Sequence, residues 1–143
     1  MIAYADTGFL MSLYREDDHS AAASALIKSN PVFLLTPFIE AEFTNALQLA
    51  VFRKRSTIDE TRMIHESFAQ HQLSGVLRAV PLSSEVWESA VALSHRHTAK
   101  LGVRTLDVIH VATALVLTPD VFFSFDDRQR KLARAERLRL LPA

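Results

Sequence analysis

The stretch IAYAD, residues 2–6, is a short apolar run that ends on an acid. Such a run, followed at once by a helix-like segment, is typical of a strand buried in a parallel sheet. Residues 32–36 (VFLLT) and 120–125 (DVFFSF) repeat the pattern, and longer amphipathic stretches separate the three runs. This alternation predicts an α/β fold in which helices pack around a mostly parallel sheet.

The predicted elements fill the chain without a linker, an internal repeat or a low-complexity segment. Strands are expected at residues 2–6, 32–36, 76–81 and 120–125, with a candidate edge strand at 137–141. Helices are expected at residues 7–15, 19–29, 37–53, 57–71, 83–99, 104–117 and 127–135. We therefore expect a single domain over residues 1–143, with a short sheet of four or five strands flanked by about seven helices.

Composition limits the classes of function that remain. The chain has 143 residues and no cysteine, so disulfides, thiolate zinc sites and cysteine nucleophiles are excluded. Sixteen Lys plus Arg balance sixteen Asp plus Glu, whereas a typical nucleic-acid binder is strongly basic. Contact with nucleic acid must then come from a local basic patch, or through a cation in an acidic site. Neither a signal peptide nor a membrane-spanning run is recognised, so a soluble cytoplasmic protein is expected.

Two acids are predicted at the carboxyl ends of strands. Asp6 ends the first strand, and Asp126 follows the strand at 120–125. In open α/β sheets, functional sites form beyond this edge, which makes both acids candidates for chemistry. Two alternatives stay open: either acid can instead cap the helix that follows it, and the adjacent Asp127 can take the place of Asp126.

Two more acids lie on helix faces that are otherwise apolar. Asp107 belongs to the helix at 104–117, which is apolar nearly all round and should be largely buried. A lone buried carboxylate is costly unless a metal ion or a salt bridge compensates it, and Arg104 is the alternative partner. Glu42 lies on the apolar stripe of the third helix, although Glu40 fits that pattern nearly as well.

Together these acids suggest a metal site. Carboxylates that converge without a cation repel one another, which raises their pKa values. A set of oxygen ligands without sulfur suits a hard cation such as Mg²⁺ or Mn²⁺ better than zinc. The predicted ligands are Asp6, Glu42, Asp107 and Asp126.

Four segments of the chain resemble the motifs of the PIN domain, and within that family the VapC-type toxins of prokaryotic toxin–antitoxin pairs. The segments are YADTGFL at residues 4–10, EFTNAL at 42–47, RTLDVIHVATA at 104–114 and FSFD at 123–126. The resemblance extends from residue 2 to about residue 135, and its second segment favours Glu42 over Glu40.

The resemblance implies a PIN-like three-layer fold and an endoribonuclease that hydrolyses RNA phosphodiester bonds with Mg²⁺ or Mn²⁺. It implies that the same four acids are both catalytic and metal-binding. It also implies a homodimer and inhibition by a small cognate antitoxin protein. We expect the hydroxyls of Thr7 and Ser124, which lie beside these acids in the sequence, to orient the ligands or a water molecule.

Positive charge for RNA is expected from two local clusters. The first is Arg53-Lys54-Arg55, at the end of the third helix. The second follows the fourth acidic segment and comprises Arg128, Arg130, Lys131 and Arg134. The alternative for the second cluster is an ordinary solvated helix face. Contacts of these side chains with phosphates would make RNA binding weaken as salt increases.

Two other functions stay open. A phosphatase-like hydrolase would use Asp6 as a covalent nucleophile, but such enzymes usually carry a second acid two residues later, where this chain has Gly8. A non-catalytic module of the same fold would bind RNA or a protein without cutting, and the presence of all four acids argues against it. His110, one turn from Asp107, is expected to have a structural role and to hydrogen-bond that carboxylate.

Overall fold

The computed structural model describes residues 1–143 and shows a five-stranded sheet in which every pairing is parallel. The strand order is β3-β2-β1-β4-β5. The strands are β1 (Ile2–Ala5), β2 (Val32–Leu35), β3 (Leu77–Ala79), β4 (Val121–Phe123) and β5 (Leu140–Leu141). The predicted α/β class and parallel sheet are therefore confirmed.

Seven helices flank the sheet, as expected. They are α1 (Thr7–Tyr14), α2 (Ser20–Leu26), α3 (Pro37–Phe52), α4 (Ile58–Leu73), α5 (Ser84–Leu93), α6 (Thr105–Leu117) and α7 (Asp127–Ala135). Helix α5 continues through a π-helical turn (Ser94–Thr98) and a final α-helical turn (Ala99–Leu101). None of the helices combines the length and the apolar character needed to cross a bilayer.

Several predicted elements extended too far along the chain, and backbone conformation explains two of the differences. The last strand covers two residues and not 137–141, because Arg137 has a φ of 60° that is incompatible with extended structure. Helix α2 ends at Leu26 and not at 29, because Ile27, with a φ of −95° and a ψ of 11°, leaves the helical conformation. Strands β3 and β4 end at Ala79 and Phe123, each two residues earlier than predicted.

The central strand β1 determines where the site can form. Its residues Ala3, Tyr4 and Ala5 are almost completely buried, as expected of a parallel strand that is covered on both faces. Ala5 pairs in register with Phe123 of β4, so the two strands end side by side. The next residue, Asp6, donates its backbone N–H to the carbonyl of Phe123 at 3.1 Å. Whatever follows β1 and β4 therefore meets at one edge of the sheet.

Candidate active site

A cleft of about 830 Å³ opens at this edge of the sheet. It is lined by all four acids that the sequence predicted and by a fifth that it did not: Asp6, Glu42, Asp107, Asp126 and Asp17. No Lys or Arg forms a salt bridge with any of them. The structure thus brings four distant segments of the chain to one acidic cleft, and the catalytic and metal-binding roles of these residues stay predictions.

Asp6 both caps a helix and lines the cleft. Its Oδ1 accepts a hydrogen bond from the backbone N–H of Phe9 at 2.7 Å, which caps α1, and its Oδ2 accepts one from the hydroxyl of Ser124. The side chain is buried, and burial raises the pKa of Asp6 against the opposing effects of His110 and these hydrogen bonds. The charge of Asp126 raises this pKa further. The buried carboxylate therefore lacks full electrostatic compensation from the protein.

Glu42 is held by two side chains that bind the same oxygen. The hydroxyl of Thr7 donates to Oε1 at 2.7 Å, and Nε2 of His110 lies 2.6 Å from Oε1. Burial acts to raise the pKa of Glu42, but the contacts with His110 and Thr7 outweigh it, so the pKa is lowered. Glu42 therefore stays ionised at neutral pH, and its Oε2 has no hydrogen-bond partner within the protein. Glu40, the alternative, is exposed outside the cleft.

His110 is held by the fold, but its hydrogen-bond partners are Tyr4 and Glu42 and not the predicted Asp107. Its ring is buried between Tyr4, whose hydroxyl lies 2.9 Å from Nδ1, and Glu42. Both ring nitrogens are thus engaged: Nε2–H can donate to the carboxylate of Glu42, and Nδ1 shares a hydrogen bond with the hydroxyl of Tyr4. The predicted hydrogen bond to Asp107 is absent, because the ring reaches across to α3 and β1 instead of along its own helix.

Asp107 is only 7% exposed and has two partners. Its Oδ2 accepts from the backbone N–H of Arg104 at 2.9 Å, and its Oδ1 accepts from Nε2 of Gln129 at 3.3 Å. The alternative of a salt bridge to the guanidinium of Arg104 is therefore not seen. The other amide atom of Gln129, Oε1, is buried without any partner. A buried acceptor of this kind calls for a further donor or a cation.

The structure separates the two candidates for the fourth acid. Asp126 lines the cleft, and its Oδ1 accepts from the backbone N–H groups of Arg128 and Gln129 at 2.9 and 3.0 Å, so it also caps α7. Asp127 is exposed on α7 and does not line the cleft. Ser124 links both strand-end acids, because its hydroxyl donates to Asp6 and accepts from the N–H of Asp126 at 3.1 Å.

The donors in the cleft fit a hard divalent ion that keeps much of its water. As the side chains stand, no three Asp, Glu or His residues lie close enough together to hold one ion between them. Mg²⁺ is usually bound by only one or two carboxylates and completes its shell with water and substrate phosphate. Such a hydrated ion would compensate the charge of Asp6. One of its water molecules could also donate a hydrogen bond to Oε1 of Gln129, which has no partner in the protein.

The predicted basic clusters divide into exposed and buried side chains. Arg53, Lys54 and Arg55 are exposed, but none of them lines the cleft. Arg128 is exposed beside Asp126. Lys131 and Arg134 are exposed as well. Arg104, which the sequence suggested only as an ion-pair partner, lines the cleft and is its only Lys or Arg.

The expectation that Arg130 binds RNA is not supported by its position. Arg130 is 7% exposed, and its two terminal nitrogens donate to the carbonyls of Ser124 and Pro142 at 2.8 and 2.7 Å. The guanidinium therefore fixes the segment after β4 to the end of the chain. A group that is buried with these partners is not available to phosphate.

Replacing Arg130 with alanine should lower stability without weakening RNA binding. The change removes two charge-assisted hydrogen bonds and leaves the carbonyl of the buried Ser124 unpaired, which should cost about 2–4 kcal/mol of unfolding free energy. Urea unfolding checks the loss. Arg128→Ala is the matched control, since its exposed side chain should affect RNA affinity and not stability. Arg130 would be an RNA contact after all if its variant stayed stable and lost affinity.

The match to a family model agrees with this fold and cleft. The model of the PIN domain matches residues 3–135, so the chain belongs to the PIN-domain family. No curated protein matches the sequence significantly.

Several solved structures share the fold. FitAcB from Neisseria gonorrhoeae is similar with a TM-score of 0.71 and 17% identity, over 98% of this chain and 96% of that one. VapBC2 from Rickettsia felis, bound to a DNA fragment from its promoter, gives 0.67 and 15% over 98% and 97%. VapC20 of Mycobacterium tuberculosis, a toxin that cleaves the sarcin–ricin loop, gives 0.67 and 20% over 95% of each chain. Likeness at these identities shows the fold alone.

Proposed function

We propose that the protein is a divalent-metal-dependent endoribonuclease that hydrolyses RNA phosphodiester bonds. The observation that carries the proposal is the convergence of Asp6, Glu42, Asp107 and Asp126 on one cleft without a salt bridge to any Lys or Arg. Burial raises the pKa of Asp6, so its ionised carboxylate is costly in the fold unless the site binds a cation. Membership of the PIN-domain family and the likeness to VapC20 support nuclease chemistry.

Each residue has a definable part in this chemistry. A bound Mg²⁺ or Mn²⁺ would polarise the scissile phosphate and lower the pKa of a coordinated water. Asp6 and Asp107 are the buried candidates for direct ligands, and Glu42 and Asp126 can act directly or through water. His110 keeps Glu42 ionised and, together with Thr7, fixes its Oε1. Ser124 orients Asp6, as a hydroxyl beside a ligand is expected to do.

The electrostatics of the cleft explain why the activity should require the ion. Five acids and only one arginine line the cleft, so it repels RNA phosphates when no metal is bound. Charge from the ion would reverse this and draw the scissile phosphate to the acids. Arg104 inside the cleft and Arg128 beside it are the side chains that can contact the flanking phosphates.

We further propose that the protein is the toxin of a toxin–antitoxin pair, restrained by a small antitoxin and active as a homodimer. Support for the antitoxin partner comes from its structural neighbours, which include VapBC2 and a toxin–antitoxin complex from Klebsiella pneumoniae. The homodimer rests on the family resemblance alone. Growth arrest on induced expression, relieved by an antitoxin encoded beside it, is the expected behaviour.

The purified protein should cut a single-stranded RNA in Mg²⁺ or Mn²⁺ and stop when EDTA is added. Restoring excess metal should restore the rate, because a bound ion would lower the pKa of the water that attacks the phosphate. Gel analysis of an end-labelled RNA gives the rate. RNA binding without cutting in either metal would favour the non-catalytic module instead, and hydrolysis of p-nitrophenyl phosphate without cutting of RNA would favour the phosphatase.

A further inference from the structure

Three aromatic rings form a stack that runs from the core to the rim of the cleft. Phe9 is completely buried, and its ring centroid lies 5.2 Å from that of Phe125 with an angle of 25° between the planes. The imidazole of His19 lies 4.4 Å from the ring of Phe125 at an angle of 9°. Phe125 is partly exposed and His19 is exposed, so the stack ends on a solvent-accessible imidazole.

The end of this stack is fixed beside the acids. Phe125 lies between Ser124 and Asp126 in the chain, and both His19 and Phe125 line the cleft. The backbone of His19 is held as well, because its N–H donates to Oδ1 of Asp17 at 2.8 Å. The ring is therefore held in position at the rim of the cleft that contains the acids.

We propose that His19, supported by Phe125, forms a subsite for an unpaired nucleobase of the RNA substrate. This inference rests on the proposed ribonuclease function. An acidic cleft offers little positive charge to hold the sugar–phosphate chain, so a side chain that holds a base by stacking is valuable there. Unpaired bases of RNA stack on aromatic rings and imidazoles, and each such contact changes affinity about 5- to 100-fold.

The subsite predicts a substrate with an accessible base next to the cut. A base inside a duplex is already stacked on its neighbours, so only a single strand, a loop or a bulge can place a base on His19. Stacking is tolerant of sequence because every base has a π face. The subsite therefore selects RNA structure more than base identity.

Packing alone is the competing explanation for the stack. If His19 only covered Phe125, its removal would affect stability and not the affinity for RNA. An exposed imidazole contributes little to the core, whereas Phe9 beneath it is part of the core. The two explanations thus predict different outcomes for substitutions at His19.

The test compares His19→Ala, His19→Phe and His19→Trp in the full-length protein. We expect His19→Ala to raise KM about 5- to 100-fold with kcat within about twofold, while the two aromatic variants keep or lower KM. Thermal unfolding should be nearly unchanged in all three. His95→Ala, at an exposed histidine outside the cleft, is the matched control and should leave KM unchanged.

A binding measurement separates failure of this inference from failure of the proposed function. A single-stranded RNA carrying 2-aminopurine should be quenched on binding to wild type in Ca²⁺, a hard cation that also binds carboxylate oxygens, and much less on binding to His19→Ala. Quenching without cleavage in metal would overturn the ribonuclease and keep the base subsite. Equal KM and equal quenching in His19→Ala would overturn the subsite and keep the ribonuclease.

Discussion

Asp107→Asn should abolish RNA cleavage while the protein stays as stable as wild type. The asparagine Oδ1 can accept the N–H of Arg104, as the carboxylate does now. Its amide can donate to Oε1 of Gln129, which has no partner in wild type, once the Gln129 amide turns over. The charge that would bind the ion is lost, so the rate should fall about 10³-fold or more.

Initial rates of RNA cutting in saturating Mg²⁺, together with thermal unfolding, check both halves of this expectation. Asp127→Asn is the matched control, because Asp127 carries the same charge on α7 but does not line the cleft. Its rate should stay within about twofold of wild type. A wild-type rate in Asp107→Asn would remove this residue from the site, and an equal loss in both variants would point to a general charge effect.

The strand-end part of the site could be predicted because it depends on local pattern. The apolar runs at residues 2–6 and 120–125 mark two strands, and parallel strands present their carboxyl ends at the same edge. Asp6 and Asp126 therefore had to be near that edge wherever the two strands lay in the sheet. The strand order places β1 next to β4, which brings the two acids together. The family resemblance supplied the choice of Glu42 over Glu40, which helical periodicity alone did not decide.

Contacts between elements could not be predicted in the same way. Helical spacing placed His110 near Asp107, but it does not say which neighbouring helix or strand a side chain reaches. The ring contacts Tyr4 of β1 and Glu42 of α3, and both are distant in sequence. Arg130 was expected to be exposed because arginine usually is, yet two backbone carbonyls satisfy it in the interior.

Neither Asp17, the fifth acid, nor Gln129, the amide, was predicted to line the cleft, because each has a local hydrogen-bonding role that explains its place in the sequence. Asp17 lies in the loop between α1 and α2, where its oxygens bind Ser12, His19 and Ser20, and such loop acids usually form local turns. Gln129 follows Asp126 by three residues, a spacing that fits a helix cap as well as a shared cleft. Only the packing of α7 against α6 shows that its amide reaches Asp107.

Asp6→Asn should make the metal-free protein more stable at neutral pH and remove its stabilisation by Mn²⁺ or Mg²⁺. Burial raises the pKa of Asp6, so the folded protein favours the protonated carboxyl. The contribution of Asp6 to stability is then fully present below its unfolded pKa and is lost as pH rises through the higher folded pKa. Asparagine keeps the acceptor for the N–H of Phe9 and never ionises.

Thermal unfolding in EDTA from about pH 4 to pH 8 measures this difference. Glu42 and Glu136 have lowered pKa values, so they make wild type and variant alike more stable above their unfolded pKa values. Only the difference between the two proteins isolates Asp6, and it should grow in favour of Asp6→Asn as pH increases.

Metal should reverse the order of the two proteins, because an ion bound to the native state stabilises it by about 2.7 kcal/mol at 100 times the Kd. Wild type should gain this stability in Mn²⁺, and Asp6→Asn should gain little. Ser124→Ala is a useful control: it removes a hydrogen bond to Asp6 but keeps the carboxylate, so it should keep most of the metal response. The idea would be wrong if the stability of wild type and Asp6→Asn changed with pH in parallel and rose equally with metal. The buried carboxylate would then have no uncompensated charge and bind no ion.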